Sequence, residues 1–170
     1  QDADNKSQIY DLISNYHIGG VVLRADNNNF IGPEDTLQNA FNLITTLQTT
    51  EWQNSQEPEF IDPLSPDQQP EFIPLFIGIG QEGDGPPYSQ IINGMTPMPN
   101  QMAIGATWQP ELAEDAGAVL GRELQALGIN LYLGPSLDVL DVLYTEARDS
   151  LGTRTFSSDP YWVGQMGQSF

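Results

Sequence analysis

Residues 74 to 88, PLFIGIGQEGDGPPY, decide the fold. From Leu75 to Gly80 the side chains are large and apolar apart from the glycines, with no charge and no helical period, so this stretch reads as a buried strand. Gln81, Glu82 and Asp84 follow at its carboxyl end, separated by Gly83 and Gly85 and closed by Pro86-Pro87. A polar, glycine-rich turn at the carboxyl end of a buried strand is where α/β proteins place their chemistry.

Helical patterns flank this strand. Ile9, Leu12, Ile13 and Tyr16 fall at helical spacing ahead of Gly19-Gly20, and Gly20 to Leu23 reads as a strand. Arg24 to Asn29 is a polar loop whose D-N-N-N run lacks the later ligands of a calcium loop, so turn chemistry explains it better. His17, the single histidine, reads as a capping or surface residue rather than a catalyst. Gly32-Pro33-Glu34-Asp35 suits the opening of a second helix, with Leu37, Ala40, Phe41, Ile44 and Leu47 as its buried stripe. Residues 49–73 then form an acidic, proline-rich insertion in which E-P-E-F-I-D-P-L (57–64) is echoed by Q-P-E-F-I-P-L (69–75). Residues 91–106 read as a loop over the site. A third helix begins at Thr107 or Gln109, buries Leu112, Ala116, Val119, Leu120, Leu124 and Leu127, and stops at Gly128. Asn130 to Leu133 is a third strand, a long loop carries Arg148 and Arg154, and Asp159-Pro160 opens a last helix.

Alternating helices and strands define an α/β fold with a parallel sheet. Three strands are visible, whereas a closed (β/α)8 barrel takes eight strands and about 250 residues. The remaining strands of the sheet are expected from another chain, a symmetry mate or a segment outside these residues.

The 170 residues carry 23 acidic and 5 basic side chains, a formal charge of −18, which disfavours nucleic acid and anionic membranes as partners. With no cysteine there is no disulfide framework, thiolate metal site or thiol redox centre. No metal or cofactor is expected. The chain starts at Gln1 without methionine and has no membrane-length apolar run, as in a processed or excised segment. An acidic chain with one lysine, rich in Asn and Gln, suits an extracellular or cell-envelope bacterial protein.

The central strand and its Q-E-G-x-G turn are followed in order by M-P-N-Q-M-A-I-G-A-T (98–107), G-R-E-L-Q-A-L-G-I-N (121–130), G-P-S-L-D-V (134–139) and R-T-F-S-S-D-P (154–160). This series resembles the barrel domain of glycoside hydrolase family 3, the family of bacterial β-N-acetylglucosaminidases and many β-glucosidases. The resemblance runs from about Ile18 to Phe170 with one interruption.

That resemblance implies that the chain is the leading part of a (β/α)8 barrel, incomplete as given, acting on a β-linked sugar, N-acetylglucosamine or glucose, at a non-reducing end. Retaining glycosidases need a carboxylate nucleophile and an acid/base about 5–5.5 Å apart. In the family both come from positions that would lie beyond Phe170, so no catalytic residue is expected in this chain, and the chain alone is expected to be inactive. It implies substrate-holding groups instead. Arg154 matches the arginine that contacts the terminal sugar, and its fork of donors suits hydroxyls. Glu82 and Asp138 match acids that brace the site or touch the sugar. Two departures bear on function: Gly80 stands where the family strand ends in a sugar-gripping Asp, and Asp84 stands at the second glycine of the turn, from where it can replace that carboxylate. The arginines that usually follow are missing from 85–90. These departures favour the alternative, a non-catalytic sugar-binding or scaffold member of the fold.

Overall fold

The structure is a computed structural model that describes residues 7–32, 34–56, 72–83, 85, 87–140 and 151–170. Helix α1 (Gln8–Ser14) is capped by Ser7, whose Oγ accepts the Tyr10 N–H at 3.3 Å. It ends earlier than the Gly19-Gly20 signal suggests. His17 takes a left-handed φ of 50°, which turns the chain toward strand β1 (Gly20–Val22) and leaves Tyr16 in solvent instead of on the buried stripe.

Helix α2 (Thr36–Ser55) starts beyond Pro33, because the Thr36 hydroxyl bonds the Gly32 carbonyl and closes a turn first. Ala40, Ile44 and Leu47 are buried as expected, but Phe41 lies on the exposed flank. The helix continues to Ser55, so the insertion expected at 49–73 begins inside it; residues 57–71, with most of the repeat, lie outside the described residues.

Strands β2 (Phe76–Ile79) and β3 (Leu131–Tyr132) complete a parallel sheet in the order β1-β2-β3. Val22 is level with Gly78, and Gly78 with Leu131. Both strands are shorter than the apolar runs that signalled them, although Asn130 and Leu133 still donate to the Ile77 and Ile79 carbonyls at 3.2 and 2.8 Å. Two side chains anchor the entry to β2. Gln48 donates to and accepts from the Leu75 backbone at 2.9 and 3.0 Å, while Asn130 accepts the Ile77 N–H at 2.7 Å and donates to the Leu75 carbonyl at 3.0 Å.

The alternation of strand side chains gives the sheet two unlike faces. Ile77 and Ile79 are sealed against Ile13 of α1, Ile44 and Leu47 of α2, and Leu120 and Leu124 of helix α4 (Pro110–Ala126). On the opposite face Phe76 is 60% and Val22 50% exposed. That is the face a closed barrel turns inward.

Within 91–106, read from sequence as loop, the chain forms a short helix α3 (Gln101–Gly105), capped by Asn100 accepting the Ala103 N–H at 2.8 Å. On α4 the buried line runs through Ala113, Leu120 and Leu124, so Leu112 is exposed rather than buried. Gly128, at φ 88°, ends that helix in the conformation only glycine adopts easily. Helix α5 (Pro160–Ser169), capped by the Asp159 carboxylate on the Tyr161 N–H at 2.8 Å, shares a second cluster with α3 and α4: Ile104, Ala113, Phe156, Val163 and Met166.

Candidate functional site

The turn after β2 is built around Gln81. Its Oε1 accepts the N–H groups of Gln90 and Ile91 at 2.9 and 3.0 Å, and its Nε2 donates to the Ile91 carbonyl at 2.7 Å. The Glu82 N–H reaches the Tyr88 carbonyl at 3.1 Å, and the Ser89 hydroxyl reaches the Gly83 carbonyl at 2.9 Å. The turn is therefore folded back and pinned. Gly83, at φ 82°, lies so close to the next loop that a Cβ would stand 3.1 Å from the Pro99 carbonyl oxygen. Beneath the turn the Tyr132 hydroxyl donates to the Gln81 carbonyl at 2.9 Å. Burial, and then the Glu82 charge, push the Tyr132 phenol far above its ordinary value, so it stays a protonated donor.

Arg154 arrives from the other end of the sequence. Ser136 pairs in parallel with Thr155, Leu140 donates to the Ser157 carbonyl at 3.2 Å, and the Thr155 hydroxyl bonds the Asp138 carbonyl. Phe156 is buried and its carbonyl occupies the place a Gly105 side chain would take. These contacts fix the turn Gly152–Arg154 against α3 and aim the guanidinium at the β2 turn. Arg154 Nη1 lies 3.5 Å from Glu82 Oε2, with side chains 25% and 16% exposed, and Arg154 Cζ lies 4.4 Å from the centre of the Tyr88 ring. The cation sits between a carboxylate and an aromatic face. Its Nε is buried and has no hydrogen-bond partner among the described residues.

The structure thus brings together Arg154 and Glu82, two of the four residues singled out from sequence. Asp138 stands apart. Its side chain is exposed and, among the described residues, only its main-chain carbonyl is hydrogen-bonded, so these residues give its carboxylate no partner to brace. Asp84 lies outside the described residues. Sequence reasoning missed Gln81, Tyr88 and Tyr132, and the aromatic after Pro86-Pro87 was the available signal for Tyr88. Among the described residues, a Cβ on Gly80 would meet only the Leu133 carbonyl oxygen at 3.7 Å, so these residues leave room there for a side chain.

A hollow of about 300 Å³ lies under the turn, lined by Gln81, Ser89, Ile91, Met95, Met98 and Leu120. The loop that roofs it is tied to α4 by Glu123, which accepts the Thr96 N–H at 3.0 Å and its hydroxyl at 2.5 Å. His17, ahead of β1, contacts Asn54 at 3.2 Å from the amino-terminal side of the sheet. Among the described residues no three His, Asp or Glu side chains gather as metal ligands, and no helix is long and apolar enough to cross a membrane.

A parallel βα sheet with its polar constellation at the strands' carboxyl ends is the plan of a (β/α)8 barrel enzyme. The chain belongs to glycosyl hydrolase family 3: residues 2–170 match its N terminal domain. It is 30% identical over 159 residues to a beta-N-acetylglucosaminidase/beta-glucosidase of Cellulomonas fimi, covering 94% of this chain and 22% of that protein. It is 29% identical over 163 residues to beta-hexosaminidase A of Pseudoalteromonas piscicida, covering 94% and 23%. Among solved structures, a glycoside hydrolase family 3 beta-N-acetylglucosaminidase from Paenibacillus superposes with a TM-score of 0.74 at 28% identity, over 96% of this chain and 26% of that one. The chain spans about a quarter of the length of these relatives.

Proposed function

We propose that the protein carrying this chain hydrolyses β-linked glycosides, N-acetylglucosaminides or glucosides, and that this chain supplies the part of the pocket that holds the terminal sugar. The observation that carries this reading is the Arg154 guanidinium, held between Glu82 and Tyr88 with a quarter of its side chain exposed. The guanidinium fork carries more donors than the Glu82 contact uses, and the quarter of the side chain left exposed is open to sugar hydroxyl oxygens. Glu82 holds the arginine in place, and the face of the Tyr88 ring backs it. The nucleophile and the acid/base come from outside these residues, as do the remaining barrel strands. The exposed apolar face bearing Phe76 and Val22 supports the latter. The acidic, lysine-poor composition supports a place outside the bacterial cell or in its envelope.

Gly80 favours a second reading, a sugar-binding member without turnover, because it removes a carboxylate from the strand end. One assay separates the readings: nitrophenyl N-acetyl-β-glucosaminide and nitrophenyl β-glucoside offered to the whole protein and to the 170-residue chain. We expect release of nitrophenol by the whole protein and none by the chain alone. Binding of N-acetylglucosamine or glucose without release would establish the second reading, and release by the chain would place the catalytic pair within it.

A further inference from the structure

Three aromatic side chains stand together where α4 and α5 begin. The rings of Trp108 and Trp162 meet edge to face with centroids 4.9 Å apart, and Tyr161 meets Trp162 in the same manner at 5.5 Å. Trp162 is rooted in the cluster formed by Ile104, Ala113, Phe156, Val163 and Met166, whereas Trp108 is 53% and Tyr161 64% exposed. One ring is anchored and its two neighbours are displayed.

The display is held rigidly. Trp108 has a φ of 55°, a left-handed conformation that a bulky residue rarely adopts. It persists because the surrounding turn fixes it: the Trp108 N–H bonds the Gly105 carbonyl at 3.1 Å, the Thr107 hydroxyl bonds the Ile104 carbonyl at 2.6 Å, and the Gln109 N–H bonds that hydroxyl at 3.2 Å. A strained residue held by its surroundings points to a functional role. Tyr161 is fixed differently, in the first turn of α5 behind the Asp159 cap.

In a βα barrel the helix amino termini lie at the same end as the strand carboxyl ends, so this group shares an end with Arg154. Trp108 follows α3 closely, and α3 packs against the turn that carries Arg154. We propose that Trp108 and Tyr161, each braced edge to face by Trp162, form a platform that stacks on the sugar rings of a neutral β-linked polysaccharide. The inference rests on the reading that the protein acts on carbohydrate, but not on its turnover. The pyranose rings of such polymers present flat C–H faces, which suit aromatic rings. Their neutrality suits a chain of charge −18, which repels polyanions.

The test is affinity gel electrophoresis of the whole protein through gels containing glycol chitin, hydroxyethyl cellulose or no polymer. We expect retardation in at least one polymer gel, the two gels separating an amino-sugar from a glucose polymer. Trp108→Ala and Tyr161→Ala should each weaken it about tenfold, the size of one lost aromatic stack. Tyr161→Ala serves as the variant that folds without difficulty, and Trp108→Phe should restore much of the retention. Arg154→Ala serves to read how much of the retention comes from the terminal-sugar pocket. The proposal fails if neither polymer retards the protein, if the Trp108→Ala/Tyr161→Ala double variant is retarded as strongly as the wild type, or if only Arg154→Ala abolishes retardation. Retardation that depends on the platform in a protein that releases no nitrophenol would sustain the platform and reject the hydrolytic reading.

Discussion

Replacing Gln81 by alanine should loosen the site turn more than any change to a charged residue around it. The side chain makes three hydrogen bonds to the Gln90 and Ile91 backbone, at 2.7 to 3.0 Å, and Ile91 is fully buried. At about 1 kcal/mol net for each, with the abandoned backbone groups partly shielded from water, Gln81→Ala should cost about 3 kcal/mol. That corresponds to about a hundredfold faster amide exchange at Gln90 and Ile91 if the turn opens locally. Gln81→Glu keeps both accepted bonds but sets a carboxylate oxygen against the Ile91 carbonyl, so about 1–2 kcal/mol should be lost. Urea unfolding gives the global cost, and hydrogen exchange followed by NMR reads the two amides. A cost for Gln81→Ala below about 0.5 kcal/mol, with exchange at both amides unchanged, would refute the assignment of Gln81 as the clamp.

Other perturbations test neighbouring parts of the structure. Glu82→Ala leaves Arg154 without its carboxylate in a partly shielded place and should cost about 1–2 kcal/mol in urea unfolding, between the values for exposed and buried pairs. Gly105→Ala drives a methyl group into the Phe156 carbonyl and should cost about 2–3 kcal/mol, read as a lowered melting temperature; an unchanged melting temperature would mean that α3 does not pack there. Gly80→Asp has room for its side chain among the described residues and should leave stability nearly unchanged while tightening monosaccharide binding measured by calorimetry. Glu51 is held above its ordinary value of 4.5 by desolvation, opposed by the nearby His17, and its Oε2 has no hydrogen-bond partner among the described residues. Its native state therefore holds the proton more tightly than the unfolded chain, and this carboxyl lowers stability as pH rises through the window above 4.5. Glu51→Gln should melt higher than the wild type at pH 7, and the gain should shrink as pH falls toward 4.5 and vanish below it; a gain independent of pH would contradict that origin.

Much of the fold was legible because it rests on local patterns. Ile77 and Ile79 point to the helices because a strand alternates, and Ala40, Ile44 and Leu47 line α2 because a helix repeats. Phe41 and Leu112 were misplaced because periodicity gives a direction but not how far the neighbouring layer extends. Helix α3 is five residues long between Pro99 and Gly105, too short to show a period, and Asn100 as its cap was the signal available. Arg154 and Glu82 were found singly through motifs. Their meeting, with Tyr88 against the guanidinium, depends on the pairing of Ser136 with Thr155 and the fit of Phe156 on Gly105, which no local pattern encodes. Gln81 read as one more polar turn residue because a clamp of three backbone bonds is visible only once the turn is folded.

The most direct test of a sugar-holding Arg154 is kcat/KM of the whole protein and its Arg154→Ala variant toward nitrophenyl N-acetyl-β-glucosaminide and nitrophenyl β-glucoside. We expect measurable turnover of at least one substrate and a loss of about a hundredfold on substitution, the size of one or two charge-assisted hydrogen bonds, with the melting curve little changed. Turnover by the variant equal to that of the wild type would show that Arg154 does not hold the sugar.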